Sequence, residues 1–303
     1  MAIETQAERA YRCIQCGATV TVPSEGEGSA GCPSCGFRYR YGKNYLKYDF
    51  ERLLFKQFRE KYLLYKVLAN NAYIAYQSVR EGSLSCPERR DVLNFREYIL
   101  SHVREGRILD VGCGTLDMPA YLDFGQKDEF ELYGIDPIDD RAFRGMRITG
   151  CAEFMPFQDR FFDALVFATS LDHVCSLERT VREASRVLSE GGKLILWMAD
   201  PSIPWTERIK DALLKAVQRL RKPSSPWEDV FALPPGESMR VGDFVVYPNL
   251  AVFQTPEGAV DPFHVSYETP RRVIAVMREV SLALHDLQRH SKNEVFLCFR
   301  KGG

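Results

Sequence analysis

The chain has 303 residues, 45% of them hydrophobic, 12% aromatic and 27% charged, with a formal net charge of −1. That length allows a sizeable core and roughly one to three domains, and the charge gives no overall attraction to nucleic acid or to an anionic membrane. No apolar run approaches the ~20 residues that span a bilayer. MAIETQAERAYR lacks the apolar core of a signal peptide, so a cytoplasmic location is the expectation. The nine cysteines fit a reducing compartment, because their spacing is that of metal ligands rather than of a disulfide framework.

The first feature is Cys13-x-x-Cys16 followed by Cys32-x-x-Cys35. Two such pairs can close a tetrahedral thiolate shell around zinc, and Gly17 and Gly36 after each pair permit the tight turn that aims backbone N–H groups at sulfur. This reads as a zinc ribbon, residues 1–43, with a strand over 18–23 and a loop over SEGEGSAG. The alternative for the same cysteines is two disulfides. Four protein ligands leave the metal no open position, so its role would be structural, and a module of ~40 residues depends on such a staple.

RYRYGKNYLKY then interleaves Arg38, Arg40, Lys43 and Lys47 with Tyr39, Tyr41, Tyr45 and Tyr48. Basic charge with aromatic faces is a footprint of single-strand nucleic-acid binding. The plainer reading, which we favour, is a ribbon strand with one solvated face and tyrosines packed beneath. Residues 45–80 read as a long helix, because Leu46, Phe50, Leu54, Phe58, Tyr62, Tyr65, Ala69, Tyr73 and Tyr76 recur every three or four positions. Pro87 opens a second helix reaching about Val103, so residues 44–100 form a helical linker or lid.

Residues 107–111 read as a buried strand running into Gly112-Cys113-Gly114, and 132–135 as a second strand delivering Asp136 to its C-terminal end. Glycines at the first turn and an acid about 20 residues on are the arrangement that cradles a nucleoside at the carboxyl edge of an α/β sheet. Residues 162–168 form a third buried strand, and 176–188 an amphipathic helix ended by Gly191-Gly192. Residues 193–199 form the next strand. Residues 203–262 fall outside this pattern. They include a helix over 205–220, a break over 221–226 and a strand or hairpin over 244–253. Inserted after a strand end, they are a candidate substrate cap.

At these residues the sequence resembles the class I S-adenosylmethionine-dependent methyltransferases of the type 11 group. Asp110-Val111-Gly112-Cys113-Gly114-Thr115 matches their first motif and Tyr133-Gly134-Ile135-Asp136 their ribose-binding motif. The stretches at 152–157, 161–166 and 184–194 are similar to those that follow, in order. The resemblance covers about residues 101–200, with a looser echo from 263 onward. It implies a doubly wound, mostly parallel seven-stranded Rossmann-like sheet, with 281–290 and 293–300 as its closing antiparallel pair. It also implies S-adenosyl-L-methionine as cofactor, held by Asp110, Gly112, Cys113, Gly114, Asp136, Pro137, Ala152, Glu153 and Thr169. Two positions depart from the pattern. Leu116 replaces the third glycine, and Cys151 replaces the aspartate that would meet the adenine amino group.

Methyl transfer from a sulfonium is an in-line displacement, so positioning does most of the work. A base is needed only for an acceptor that is protonated at working pH. Asp172 and His173, just past a strand end, and His264, where the chain re-enters the domain, are the candidates. Cys175 has no nameable base partner. Three functions are compatible with these features: methylation of a small-molecule or glycan hydroxyl, methylation of an RNA base with the ribbon as reader, and a degenerate domain serving as a binding partner. The near-neutral charge favours the first. A homodimer is compatible with all three.

Overall fold

The computed structural model describes residues 8–59, 61, 62, 65, 89–115, 117–125, 129–139, 143–200, 239–241, 244–246, 265, 266, 268–290 and 294–302. Its elements in chain order are β1 (Glu8–Arg12), β2 (Thr19–Pro23), β3 (Gly28–Gly31), β4 (Arg38–Gly42), β5 (Tyr45–Tyr48), α1 (Glu51–Gln57) and α2 (Arg90–His102). Then follow β6 (Gly106–Val111), β7 (Phe130–Asp136), β8 (Met146–Thr149), β9 (Phe162–Ala168), α3 (Leu177–Val187) and β10 (Leu188–Ala199). The chain continues with β11 (Met239–Val241), β12 (Phe244–Val246), α4 (Pro270–Arg278), β13 (Leu282–Arg289) and β14 (Glu294–Lys301).

The main sheet has ten strands in the order β13-β14-β10-β9-β6-β7-β8-β5-β4-β3. The seven from β13 to β8 are the expected doubly wound, mostly parallel sheet. β6, β7, β8, β9 and β10 run parallel, and the antiparallel β13–β14 pair closes one side. Its strands alternate between two buried faces, as strand geometry requires. Ala164, Val166, Ile195, Trp197, Phe296 and Cys298 pack with α2 on one face. Leu165, Phe167, Leu194, Leu196, Val295 and Leu297 pack on the other with α3, α4 and the N-terminal strands.

Several expectations need correction. Residues 45–48 are strand β5, not the start of a helix. β5 pairs in parallel with β8, with Leu46 opposite Ile148. Residues 28–31, assigned to a loop, form β3 against β4. β3 and β4 therefore extend the main sheet through β5, β1 and β2 pair in a separate two-stranded sheet, and Tyr11, Val20, Val22, Tyr39 and Tyr48 share the core that holds Phe154 and Phe157. A doubly wound sheet commonly joins its parallel strands through crossover helices. Among the described residues, the β6–β7 connection holds only a 3-10 turn, Ala120–Leu122, entered through Pro119 in extended conformation. The described residues of the β7–β8 connection form no helix.

α3 ends at Val187, where Leu188 turns extended and enters β10 directly, so Gly191 serves a bulge in that strand rather than a helix cap. Its start is capped by Ser176, whose hydroxyl accepts the Arg179 N–H at 3.3 Å. β11 and β12 form an antiparallel hairpin slightly ahead of the one expected over 244–253. The helix at 205–220, most of the 203–262 insertion, Pro87, Leu116, His264 and the later part of the 45–80 stripe lie outside the described residues. No helix among the described residues is long and apolar enough to cross a membrane.

Candidate functional site

A cleft of about 840 Å³, counting its open mouth, lies at the carboxyl ends of β6, β7, β8 and β9. β6 runs into Gly112, whose φ of 87° is open to glycine at little cost. A Cβ there would stand 2.4 Å from Ser170 Cβ. Ser170 is fixed in turn, because its hydroxyl donates to the Val111 carbonyl. The turn after β9 thus closes onto the glycine turn, and both line the cleft.

Asp136 ends β7 on the cleft wall and is 6% exposed. Its Oδ2 accepts the Gly114 N–H at 2.9 Å and its Oδ1 the Ile138 N–H at 2.8 Å. Of the other expected cofactor residues, Gly112, Pro137, Ala152, Glu153 and Thr169 line the same cleft. Asp110, Cys113 and Gly114 are buried behind it. Burial raises the Asp110 carboxyl to about 7, against the lowering effect of the Tyr121 hydroxyl that donates to it at 2.9 Å. Glu153 lies in the wall, but its Oε1 accepts the N–H groups of Cys175 and Ser176 at 2.6 and 3.3 Å. It ties the post-β8 loop to the start of α3. Burial raises its carboxyl above the ordinary range, and these backbone donors oppose the rise.

Thr169 adopts φ 55°, a left-handed conformation unfavourable to a β-branched residue by about 1–2 kcal/mol. Its N–H is held by the Trp197 carbonyl at 2.9 Å. Relief of this strain should offset the entropy of a glycine, about 0.5–1 kcal/mol. Thr169→Gly is accordingly expected to melt at or slightly above the wild-type temperature, and a fall of several degrees would remove the strain argument.

His173 lines the cleft, and its Nε2 stands 3.6 Å from Asp172 Oδ1. The Asp172 carbonyl accepts the N–H groups of Val265 and Ser266 at 2.9 and 3.0 Å, which brings the segment after His264 to the cleft mouth. Val265 lines the cleft, as does Tyr65 from the N-terminal stripe. Cys151 also lines it, and its own N–H is held by the Tyr48 hydroxyl at 3.3 Å.

Sequence reasoning missed Arg147. It is 1% exposed, and its guanidinium donates to the Gly114 and Ile138 carbonyls. An arginine in a short apolar strand carries no sequence signal for partners that lie 9 and 33 residues away.

The four ribbon cysteines converge elsewhere, with their sulfurs all within 4.8 Å of one another. Cys13 and Cys35 are 3.6 Å apart and Cys16 and Cys32 3.5 Å. A disulfide needs about 2.05 Å, whereas a tetrahedral zinc with bonds of about 2.3 Å sets its sulfurs about 3.8 Å apart. The two knuckles match. Gly17 and Gly36 donate to the Cys13 and Cys32 carbonyls at 2.8 and 2.9 Å, with φ of 80° and 72°. Tyr39 and Tyr48 are buried beneath the solvated Arg38 and Arg40, as the plainer reading of that stretch holds.

Residues 109–196 match the family model described as a methyltransferase domain. Over 111 residues the chain is 33% identical to the ubiquinone/menaquinone biosynthesis C-methyltransferase UbiE of Teredinibacter turnerae, covering 32% of this chain and 45% of that protein. It is 32% identical over 107 residues to the uncharacterized protein MJ1252 of Methanocaldococcus jannaschii, covering 35% and 42%. The match spans less than half the length of these relatives. Among solved structures, the Burkholderia thailandensis 1,6-didemethyltoxoflavin-N1-methyltransferase superposes with a TM-score of 0.47 at 12% identity, covering 81% of this chain and 91% of that one. The family match runs from β6 to β10 and includes the ends of β6, β7, β8 and β9 that build the cleft, so this stretch is similar to a methyltransferase domain.

Proposed function

We propose that the chain is an S-adenosylmethionine-dependent methyltransferase acting on a small-molecule or glycan-type acceptor through a hydroxyl. The observation that carries the reading is the buried Asp136 carboxylate on the cleft wall beside the Gly112 turn, within the matched domain. A nucleoside needs a carboxylate for its vicinal hydroxyls and an apolar slot for its base. Asp136 supplies the first, and Ile138, Ala152 and Cys151 supply the second. Bound S-adenosylmethionine supplies an electrophilic methyl group on a sulfonium. Pro137 and Thr169 narrow the cleft around the cofactor, and the Gly112 backbone permits close approach. His173 would take a proton from an acceptor hydroxyl, with Asp172 stabilising the imidazolium so formed. Deprotonation would serve an oxygen nucleophile, whereas the quinone-biosynthesis relatives are named as C-methyltransferases. His264 remains a further candidate base, and residues 203–262 the proposed acceptor cap. The ribbon cysteines are proposed to hold one structural zinc.

The test is transfer of labelled methyl from S-adenosylmethionine into a fractionated lysate, with Asp136→Ala and His173→Ala as controls. Label should enter the acid-soluble or polysaccharide fraction. Ribonuclease-sensitive label would overturn the acceptor assignment. Asp136→Ala should weaken cofactor binding at least about tenfold, the loss of charged hydrogen bonds worth about 1.5–3 kcal/mol. Unchanged affinity in a calorimetric titration would refute the ribose assignment.

A further inference from the structure

The same two residues are gripped twice. Gly114 and Ile138 give their N–H groups to the Asp136 carboxylate, at 2.9 and 2.8 Å. Their carbonyl oxygens accept from Arg147, Gly114 from Nη1 at 2.8 Å and Ile138 from Nη2 at 2.7 Å. Nη1 also donates to Cys113 Sγ, and Nη2 stands 4.0 Å from Asp136 Oδ1. One carboxylate and one guanidinium therefore cross-brace the glycine turn after β6 and the turn after β7.

Arg147 comes from β8 and is absent from the cleft lining, so it approaches this brace from behind. A carboxylate has about four lone-pair sites. The backbone donors occupy two, and because Arg147 stays out of the cleft, it balances the charge without covering the face that lines it. The arrangement is demanding: both side chains are buried, and Arg147 Nε finds no acceptor among the described residues. An apolar side chain of similar volume would fill the space without that desolvation. What it would not supply is the fork that reaches two carbonyls and a carboxylate at once.

We propose that Arg147 is the positioning residue of the nucleoside site, holding the Asp136 carboxylate aimed into the cleft while locking the Gly114 and Ile138 turns around it. The inference rests on the cofactor reading above. Calorimetric titration with S-adenosylhomocysteine tests it, using wild type, Arg147→Lys, Arg147→Met, Asp136→Asn and the Arg147→Met/Asp136→Asn double variant. Arg147→Met should bind at least tenfold more weakly than wild type, and Arg147→Lys should fall between them, keeping the charge but losing the fork. In the Asp136→Asn background the Arg147→Met change should cost less than threefold, because the group it aims is gone. An equal loss in both backgrounds would reduce Arg147 to a packing role and overturn the proposal. If Arg147→Met does not fold, Arg147→Lys decides alone, and wild-type affinity in that variant overturns it. A wild-type protein that binds no S-adenosylhomocysteine would overturn the cofactor reading first, and this one with it.

Discussion

Gly112→Ala is expected to abolish cofactor binding and to destabilise the protein by about 3 kcal/mol. Two costs combine. The residue sits at φ 87°, where a side chain is unfavourable by about 1–2 kcal/mol. Its new Cβ would also stand 2.4 Å from Ser170 Cβ, an overlap that real structures do not sustain. Ser170 cannot simply step away, because its hydroxyl holds the Val111 carbonyl at the end of β6. Forced repacking of this kind costs about 1–3 kcal/mol. The displaced atoms would be those of the cleft wall, so binding should suffer more than stability. Thermal unfolding should show a fall of roughly 5 °C, and titration with S-adenosylhomocysteine should show no heat. Adding Ser170→Gly removes the overlap but not the backbone strain, and should restore part of the stability. A Gly112→Ala protein that melts with the wild type would mean that the two turns do not meet as described.

Much of this site is readable in the sequence because its signals are local. A run such as Ile108-Leu109-Asp110-Val111 ending in glycine, and Asp136 at the end of the next strand, announce themselves through neighbours along the chain. The same holds for the paired cysteines, whose spacing already implies two knuckles. What escaped was set by distant partners. Leu46 fits a helical stripe with Phe50 and Leu54, and four residues are too few for periodicity to separate strand from helix. It became a strand because Ile148, about a hundred residues on, offered a parallel edge. That the described residues after the glycine turn hold only a 3-10 turn has a local cause: Pro119 holds an extended conformation and lacks the N–H a helix interior needs. The motif position assigns Glu153 to the cofactor, yet its Oε1 accepts from two backbone N–H groups that only tertiary structure brings near.

Removal of the proposed zinc should reach well beyond the ribbon, because the ribbon is not a separate body. β5 continues the sheet from β8, and Arg12 donates its N–H to the Pro156 carbonyl at 2.9 Å. The Tyr48 hydroxyl spans between the Phe154 carbonyl and the Cys151 N–H, on the loop that lines the cleft. Lys47 pairs with Asp139 just past the turn after β7. Without a metal to unite them, four sulfurs held within 4.8 Å lose the bonds that justify their closeness, and structural zinc contributes about 10–16 kcal/mol of apparent binding energy in small zinc modules. Metal analysis should find one zinc per chain. Chelated protein, or a Cys32→Ala variant, should lose hydrogen-exchange protection first in β3–β5 and then in residues 151–156, and its affinity for S-adenosylhomocysteine should fall as that loop loosens. Loss of protection confined to the ribbon, with cofactor affinity unchanged, would show that the shared sheet transmits nothing to the cleft. Metal-free protein with wild-type melting would instead remove the zinc from the fold altogether.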